Sequence, residues 1–142
     1  MTGGRWLGLD VGDRTVGVAV SDALSLTAQG VETIRRTTLQ KDLDRLGALM
    51  DEYGTSRFVV GWPKNMDGSE GARCAIVGDF AAALQAAWPE AQVVFWDERL
   101  STVAAARSLI AADVSRAKRK KVIDKMAAVF ILQGYLDRQR SS

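Results

Sequence analysis

The order of apolar patterns in this 142-residue chain predicts an α/β fold: a mixed five-stranded sheet, three antiparallel strands then two helix-connected strands, with helices on both faces. Three observations carry that prediction. Three strand-like runs come first, joined by turns rather than by helices. Two short apolar runs, RFVVG at 57–61 and QVVFW at 92–96, then alternate with segments of helical spacing. No repeat, linker or low-complexity segment interrupts the chain, so a single domain over residues 1–142 is expected, burying on the order of two-thirds of its unfolded surface.

Trp6 to Val11 reads as the first strand, Gly12-Asp13-Arg14-Thr15 as a turn, and Val16 to Ser21 as the returning partner. A third short strand is expected over Gly30 to Ile34. Leu39, Leu43, Leu46, Met50 and Tyr53 recur at helical spacing, and Gly54 ends that helix. Arg57 to Gly61 is a compact buried strand closed by Pro63. The loop KNMDGSEG leads into an alanine-rich helix that runs through about Ala87 and stops before Pro89. Gln92 to Trp96 is the last strand, followed by a helix from about Thr102 to Ala112. After a basic loop, Val122, Met126, Val129, Phe130, Gln133 and Leu136 mark a final helix. Its polar tail, DRQRSS, is expected to fray from about residue 139.

The composition, 47% hydrophobic and 25% charged, is that of an ordinary globule. No apolar stretch approaches the roughly 20 residues of a membrane span, and the N-terminus lacks the pattern of a signal peptide. With one cysteine, Cys74, no intrachain disulfide forms, which fits a reducing cytoplasm. There is no histidine, so an imidazole general base is excluded and Cys74 has no imidazole to activate it; buried filler is its expected role. Net charge is only +2, but Arg116, Lys118, Arg119, Lys120 and Lys121 cluster ahead of Lys125, and Arg35 and Arg36 form a smaller pair. Such clusters are solvated surface unless a polyanion binds them.

Three acidic residues sit in apolar surroundings: Asp10 in GLDVG, Glu98 in VVFWDERLST and Asp124 in VIDKMAAVFIL. Buried carboxylates cost several kcal/mol in desolvation unless something compensates the charge. If the three converge, the simplest compensation is a hard divalent cation with oxygen ligands. Alternation along the strand sets Asp10 on one face with Trp6, Gly8 and Gly12, and the two glycines leave room for a ligand beside it. The hairpin that follows supplies backbone N–H groups and Arg14, suited to a phosphate. Glu98 falls at the C-terminal end of the last strand, where open α/β sheets hold ligands. Asp97 points the other way and is the better candidate for a tie to loop backbone, with Ser101 or Thr102 as a helix N-cap. Asp124 lies in the first turn of its helix, where the helix dipole alone accounts for an acidic residue; Ala127 and Ala128 leave that helix free to pack closely on the sheet. Three such carboxylates suffice for two-metal phosphodiester hydrolysis with no protein nucleophile.

The segments LGLDVGDRTVGVAVSD, VVGWPKNMDGSEG, FWDERLSTVAA and KKVIDKMAAVFILQGYLD resemble, in order and from about Leu7 to Leu136, the four blocks of the YqgF family. These are Holliday-junction-resolvase-like proteins, also described as pre-16S ribosomal RNA nucleases. The resemblance implies an RNase H-like fold and a Mg²⁺- or Mn²⁺-dependent nuclease of the bacterial cytoplasm, with Asp10, Glu98 and Asp124 as catalytic metal ligands for two ions. It also implies an active-site loop of Gly61, Pro63, Asn65, Asp67 and Gly68. At the variable position after Gly61, where the family usually has an aliphatic residue, Trp62 stands here, either a base-stacking surface or a half-buried loop tryptophan. Nucleic acid would be held by Arg14, Lys64, Asn65, Arg99, Arg116, Lys118, Arg119, Lys120, Lys121 and Lys125.

Processing of the 5′ end of pre-16S rRNA in ribosome biogenesis is the leading expectation. Resolution of branched DNA in recombination and repair is the alternative, and would require a homodimer with two-fold symmetry to make paired cuts. Two other classes compete. LDVGDRTVGVAV also resembles the phosphate hairpin of sugar-kinase and actin-like ATPases, which close two such domains on a nucleotide where this chain has length for one. A non-catalytic RNA-binding assembly factor would use the basic run alone.

Overall fold

The computed structural model describes the backbone of residues 4–100 and 116–141, and the side chains of residues 4–100 and 125–140. Strands β1 (Leu7–Val11), β2 (Thr15–Ser21) and β3 (Ala28–Arg35) form an antiparallel unit. Helix α1 (Leu39–Tyr53), strand β4 (Arg57–Trp62), helix α2 (Ala72–Ala87) and strand β5 (Gln92–Asp97) follow, and helix α3 spans Arg116–Ser141. The sheet order is β3-β2-β1-β4-β5, with β4 parallel to both β1 and β5. This is the mixed five-stranded sheet expected. The helix foreseen over about 102–112 and the Ser101 or Thr102 cap lie outside the described residues.

Alternation along the strands assigns one core to each face. Leu7, Leu9 and Val11 of β1 and Phe58 and Val60 of β4 pack under α1 and α2 with Leu46, Val77, Phe80 and Leu84. Trp6, Ala19, Val59 and Trp96 form the opposite face with Ala127, Ala128, Ile131 and Leu132 of α3. Burying a Leu, Ile or Phe side chain stabilises by about 1.5–3 kcal/mol, so both layers are needed to hold the sheet.

Helix α1 starts at Thr38, whose hydroxyl accepts from Lys41 N at 3.2 Å. It ends at Gly54, which is left-handed at φ 63° and donates to Met50 O. One position breaks its apolar stripe: Leu39 is 45% exposed, and Asp42 is buried instead.

Helix α3 differs most from the sequence reading. It begins at Arg116, so the basic run forms its first turns and is not a loop. Lysine and arginine are good helix formers, and a charge cluster at a helix start looks like a loop only when apolar spacing is the sole criterion. Its polar end does not fray either. The helix continues to Ser141, and Gln133 Nε2 and Arg140 Nη1 donate to Leu26 O at 3.0 and 3.2 Å, fastening it to the β2–β3 connection.

Helix α3 runs antiparallel to β1. The Tyr135 ring lies 5.0 Å from that of Trp6, while Leu132 Cβ and Ala128 O lie 2.7 and 3.0 Å from where a Cβ on Gly8 would stand. The space above Gly8 is thus filled by helix, not left for a ligand. Gly8 and Ala128 permit the close approach that the small residues of α3 predicted.

Candidate functional site

The site forms at the C-terminal ends of β1, β4 and β5, the position where open α/β sheets hold ligands. Asp10, fourth residue of β1, pairs with Gly17 and is only 4% exposed. Leu9 pairs with Val60, so the next rung sets Asp10 beside Gly61, roughly 4.8 Å away across the parallel strands. Both positions face α3.

Gly61 is the hinge of the geometry. A Cβ there would lie 3.0 Å from Glu98 Oε2, 2.5 Å from Ile131 Cδ1 and 3.1 Å from Ile131 Cγ1. The missing side chain leaves a cradle that the Glu98 carboxylate enters, next to the rung occupied by Asp10. Glu98 comes from the single 3₁₀ turn Glu98–Leu100 that ends β5. Asp97, on the opposite face, is tied down as its position predicted. It accepts from Arg99 N at 2.9 Å and from Arg99 Nη2 at 2.8 Å, and the Arg99 guanidinium holds its carboxyl below the ordinary value.

Two cations approach these carboxylates and the hairpin beside them. Arg73, in the first turn of α2, brings Nη2 to 3.5 Å from Asp10 Oδ1 while remaining 47% exposed. Arg36 reaches the β1–β2 hairpin from the other side: Nη1 donates to Gly12 O at 2.8 Å and its backbone N to Arg14 O at 2.8 Å. Its Nε donates to Asp42 at 3.1 Å, and its guanidinium stacks 5.1 Å from the Phe80 ring centroid. Asp42 also accepts from Thr37 N at 3.1 Å. Arg36, read from sequence only as half of a basic pair, is therefore a clamp that fixes the turn after Asp10. Arg73 gave no signal in sequence, because its partner is 63 positions away and on another element.

The connection after β4 is a stiff turn. Asn65 Nδ2 donates to Ser69 Oγ at 3.0 Å, Gly68 N to Asn65 O at 2.9 Å, and Ser69 N and Oγ to Asp67 Oδ1 at 2.9 and 2.6 Å. The Ser69 hydroxyl holds the Asp67 carboxyl below its ordinary value, and Gly68 supplies φ 89°. Trp62 ends β4 half-buried, donating Nε1 to Glu70 at 2.9 Å and meeting the exposed Phe95 edge-on at 4.9 Å. Cys74 is buried, and burial pushes its thiol up.

The remaining predicted contacts are dispersed. Arg14 is exposed on the hairpin and Lys64 half-exposed after β4. Arg99 and Asn65 direct their side chains to Asp97 and Ser69. Lys125 is exposed, with its stem laid across β3: Cγ stands 2.8 Å from where a Cβ on Gly30 would be. The side chains of Arg116, Lys118, Arg119, Lys120, Lys121 and Asp124 lie outside the described residues, although their backbone belongs to α3.

Asp10 and Glu98 offer hard oxygen donors of the kind Mg²⁺ and Mn²⁺ take, and the Glu98 oxygen sits over Gly61, on the strand next to that of Asp10. The pair fits a divalent cation. Among the described residues no group of three His, Cys, Asp or Glu side chains that could hold a metal occurs.

Comparison with known proteins agrees with this fold. The family model described as "RuvX: Holliday junction resolvase" matches residues 4–138. A protein of Geobacillus kaustophilus named "Putative pre-16S rRNA nuclease" is 61% identical over 138 residues, covering 96% of this chain and 99% of its own. A protein of the same name from Clostridioides difficile is 57% identical over 137 residues, covering 96% of each chain. Among solved structures, Thermus thermophilus RuvC in complex with a Holliday junction substrate superposes with a TM-score of 0.60 at 14% identity, over 98% of this chain and 97% of that one. That likeness establishes an RNase H-like fold of the RuvC type.

Proposed function

The chain belongs to the RuvX family, and from that membership we propose that it is a divalent-metal-dependent nuclease that trims the 5′ end of precursor 16S ribosomal RNA in the cytoplasm. The observation that carries this reading is the pairing of a buried carboxylate, Asp10, with the Glu98 oxygen seated over Gly61. The names borne by relatives more than half identical over nearly the whole chain support the RNA substrate.

Asp124 is the third ligand in this reading. It precedes Ala128 by one helical turn, about 6 Å along the axis, and α3 runs antiparallel to β1 with Ala128 over Gly8. One turn back from Gly8 along that direction is the level of Asp10. When bound, a pair of Mg²⁺ or Mn²⁺ ions supplies charge stabilisation on the phosphodiester and acidifies a water. The protein residues bind and orient. Asp10, Glu98 and Asp124 would hold the ions, and Arg36 holds the hairpin that carries Gly12 and Arg14. Arg14, Lys64 and the cationic first turns of α3 (Arg116, Lys118, Arg119, Lys120, Lys121), with Lys125 one turn on, retain the polyanionic strand, a contribution that falls steeply with salt.

The family description favours a second substrate, the Holliday junction, whose resolution requires a two-fold dimer to make both cuts. One assay separates the readings. Purified protein is incubated with a transcript spanning the 16S 5′ boundary and with a four-way DNA junction, each with Mg²⁺, Mn²⁺ or EDTA. The reading expects cleavage of the transcript only with metal, and its loss in Asp10→Asn, Glu98→Gln and Asp124→Asn. Cleavage that survives EDTA or Asp10→Asn overturns it; cutting confined to the junction transfers the activity to branched DNA.

A further inference from the structure

We propose that Arg73 is a displaceable counterion of the site, resting on Asp10 when no cation is bound and turning to a substrate phosphate when one is. This deepens the nuclease reading and rests on it. A carboxylate that is 4% exposed needs a compensating charge at all times, and in the protein alone Arg73 is a cation that supplies one, with Nη2 at 3.5 Å from Oδ1.

Three features make the contact exchangeable rather than structural. Its length exceeds the 2.7–2.9 Å typical of tight charge-assisted pairs. Arg73 is 47% exposed, so its guanidinium swings into water with little loss of packing. Among the described residues it also has no second polar partner, unlike Arg36, which is held by Asp42, Gly12 O and the Phe80 ring. A divalent ion and a guanidinium compete for the same Asp10 oxygen. When the ion wins, Arg73 is released at the mouth of the site, beside the path of the polyanion, with a fork that matches a phosphate.

Removing Arg73 therefore has opposite effects on the two ligands. Calorimetry with Ca²⁺ as a probe is expected to show about two- to fivefold tighter cation binding in Arg73→Gln than in the wild type, for a half-exposed, screened pair. Arg73→Lys keeps the charge and most of the competition. Arg45→Gln, a charge-matched change at a surface pair with Glu32, leaves cation affinity unchanged. With Ca²⁺ present, anisotropy of a short fluorescein-labelled RNA is expected to show weaker binding to Arg73→Gln. The salt slope becomes shallower by about 0.7–0.9, one phosphate contact.

Cation affinity within twofold of wild type in Arg73→Gln, or an unchanged salt slope, overturns the assignment while leaving the nuclease reading in place. If the wild type takes up no cation that Asp10→Asn abolishes, both fall together.

Discussion

Gly61→Ala adds one methyl group where the structure has room for none. The new Cβ would stand 2.5 Å from Ile131 Cδ1 and 3.0 Å from Glu98 Oε2, both well inside ordinary van der Waals contact. Ile131 is fully buried, so the packing conflict falls in the range of about 1–3 kcal/mol for an overfilled core. For a domain of this size that is a fall in Tm of roughly 3–12 °C, measurable by circular dichroism. The Glu98 conflict has a separate consequence. Its carboxylate must give by a few tenths of an ångström, a fraction of the roughly 1 Å misplacement that costs about 10²-fold in rate.

A second substitution separates the two effects. Ile131→Val removes Cδ1, the atom of closest approach. Gly61→Ala/Ile131→Val is therefore expected to regain most of the lost Tm, yet to remain deficient in divalent-cation affinity and in cleavage. Recovery of stability and cation affinity together would mean that Glu98 has no place in the cradle. Full activity in Gly61→Ala alone would refute the geometric argument outright.

Other consequences follow from the same contacts. Arg36→Ala strands Asp42, 2% exposed, without its cation, and is expected to lower unfolding free energy by about 3 kcal/mol in urea titration; Asp42→Asn, which keeps a neutral acceptor for Thr37 N and Arg36, costs less. Cys74 reacts with a thiol reagent at pH 8 only as fast as the protein unfolds, because burial disfavours its thiolate; modification at the rate of a free thiol would show the α2 start open. The Glu32 carboxyl lies below its ordinary 4.5 because Arg45 hydrogen bonds to it. A depressed folded value contributes stability above the unfolded value and loses it as pH falls through the folded one. The deficit of Arg45→Ala relative to wild type, about 1 kcal/mol or less for so exposed a pair, should thus be present at pH 6 and vanish well below pH 4.5.

The sheet was legible because its strands are short, apolar and punctuated: Gly12-Asp13 and Pro63 each follow the end of a strand in the folded protein. Asp10 and Glu98 could be chosen because a carboxylate inside an apolar run is costly without a reason, and the structure brings both to the same end of the sheet, after β1 and β5 on either side of β4. What pattern could not supply was contact between elements. Gly8 reads as open space beside Asp10 until Leu132 and Ala128 arrive from more than a hundred residues away. Arg36 and Arg73 look alike in a list of charges, yet one is locked between Asp42 and Gly12 and the other leans on Asp10 from solvent. The start of α3 was missed for a different reason: six residues with little apolar content carry helical propensity but no period, and only the helix that follows them reveals their conformation.

The central claim is that Asp10 and Glu98, with Asp124, share divalent cations. Crystals grown with Mn²⁺ and measured at its absorption edge test it most directly. The account predicts anomalous peaks bonded to Asp10, Glu98 and Asp124 oxygens, two of them about 3.5–4 Å apart. Manganese found only at surface carboxylates, with Glu98 withdrawn from Gly61 and Asp10 bound by protein cations alone at saturating Mn²⁺, would contradict it.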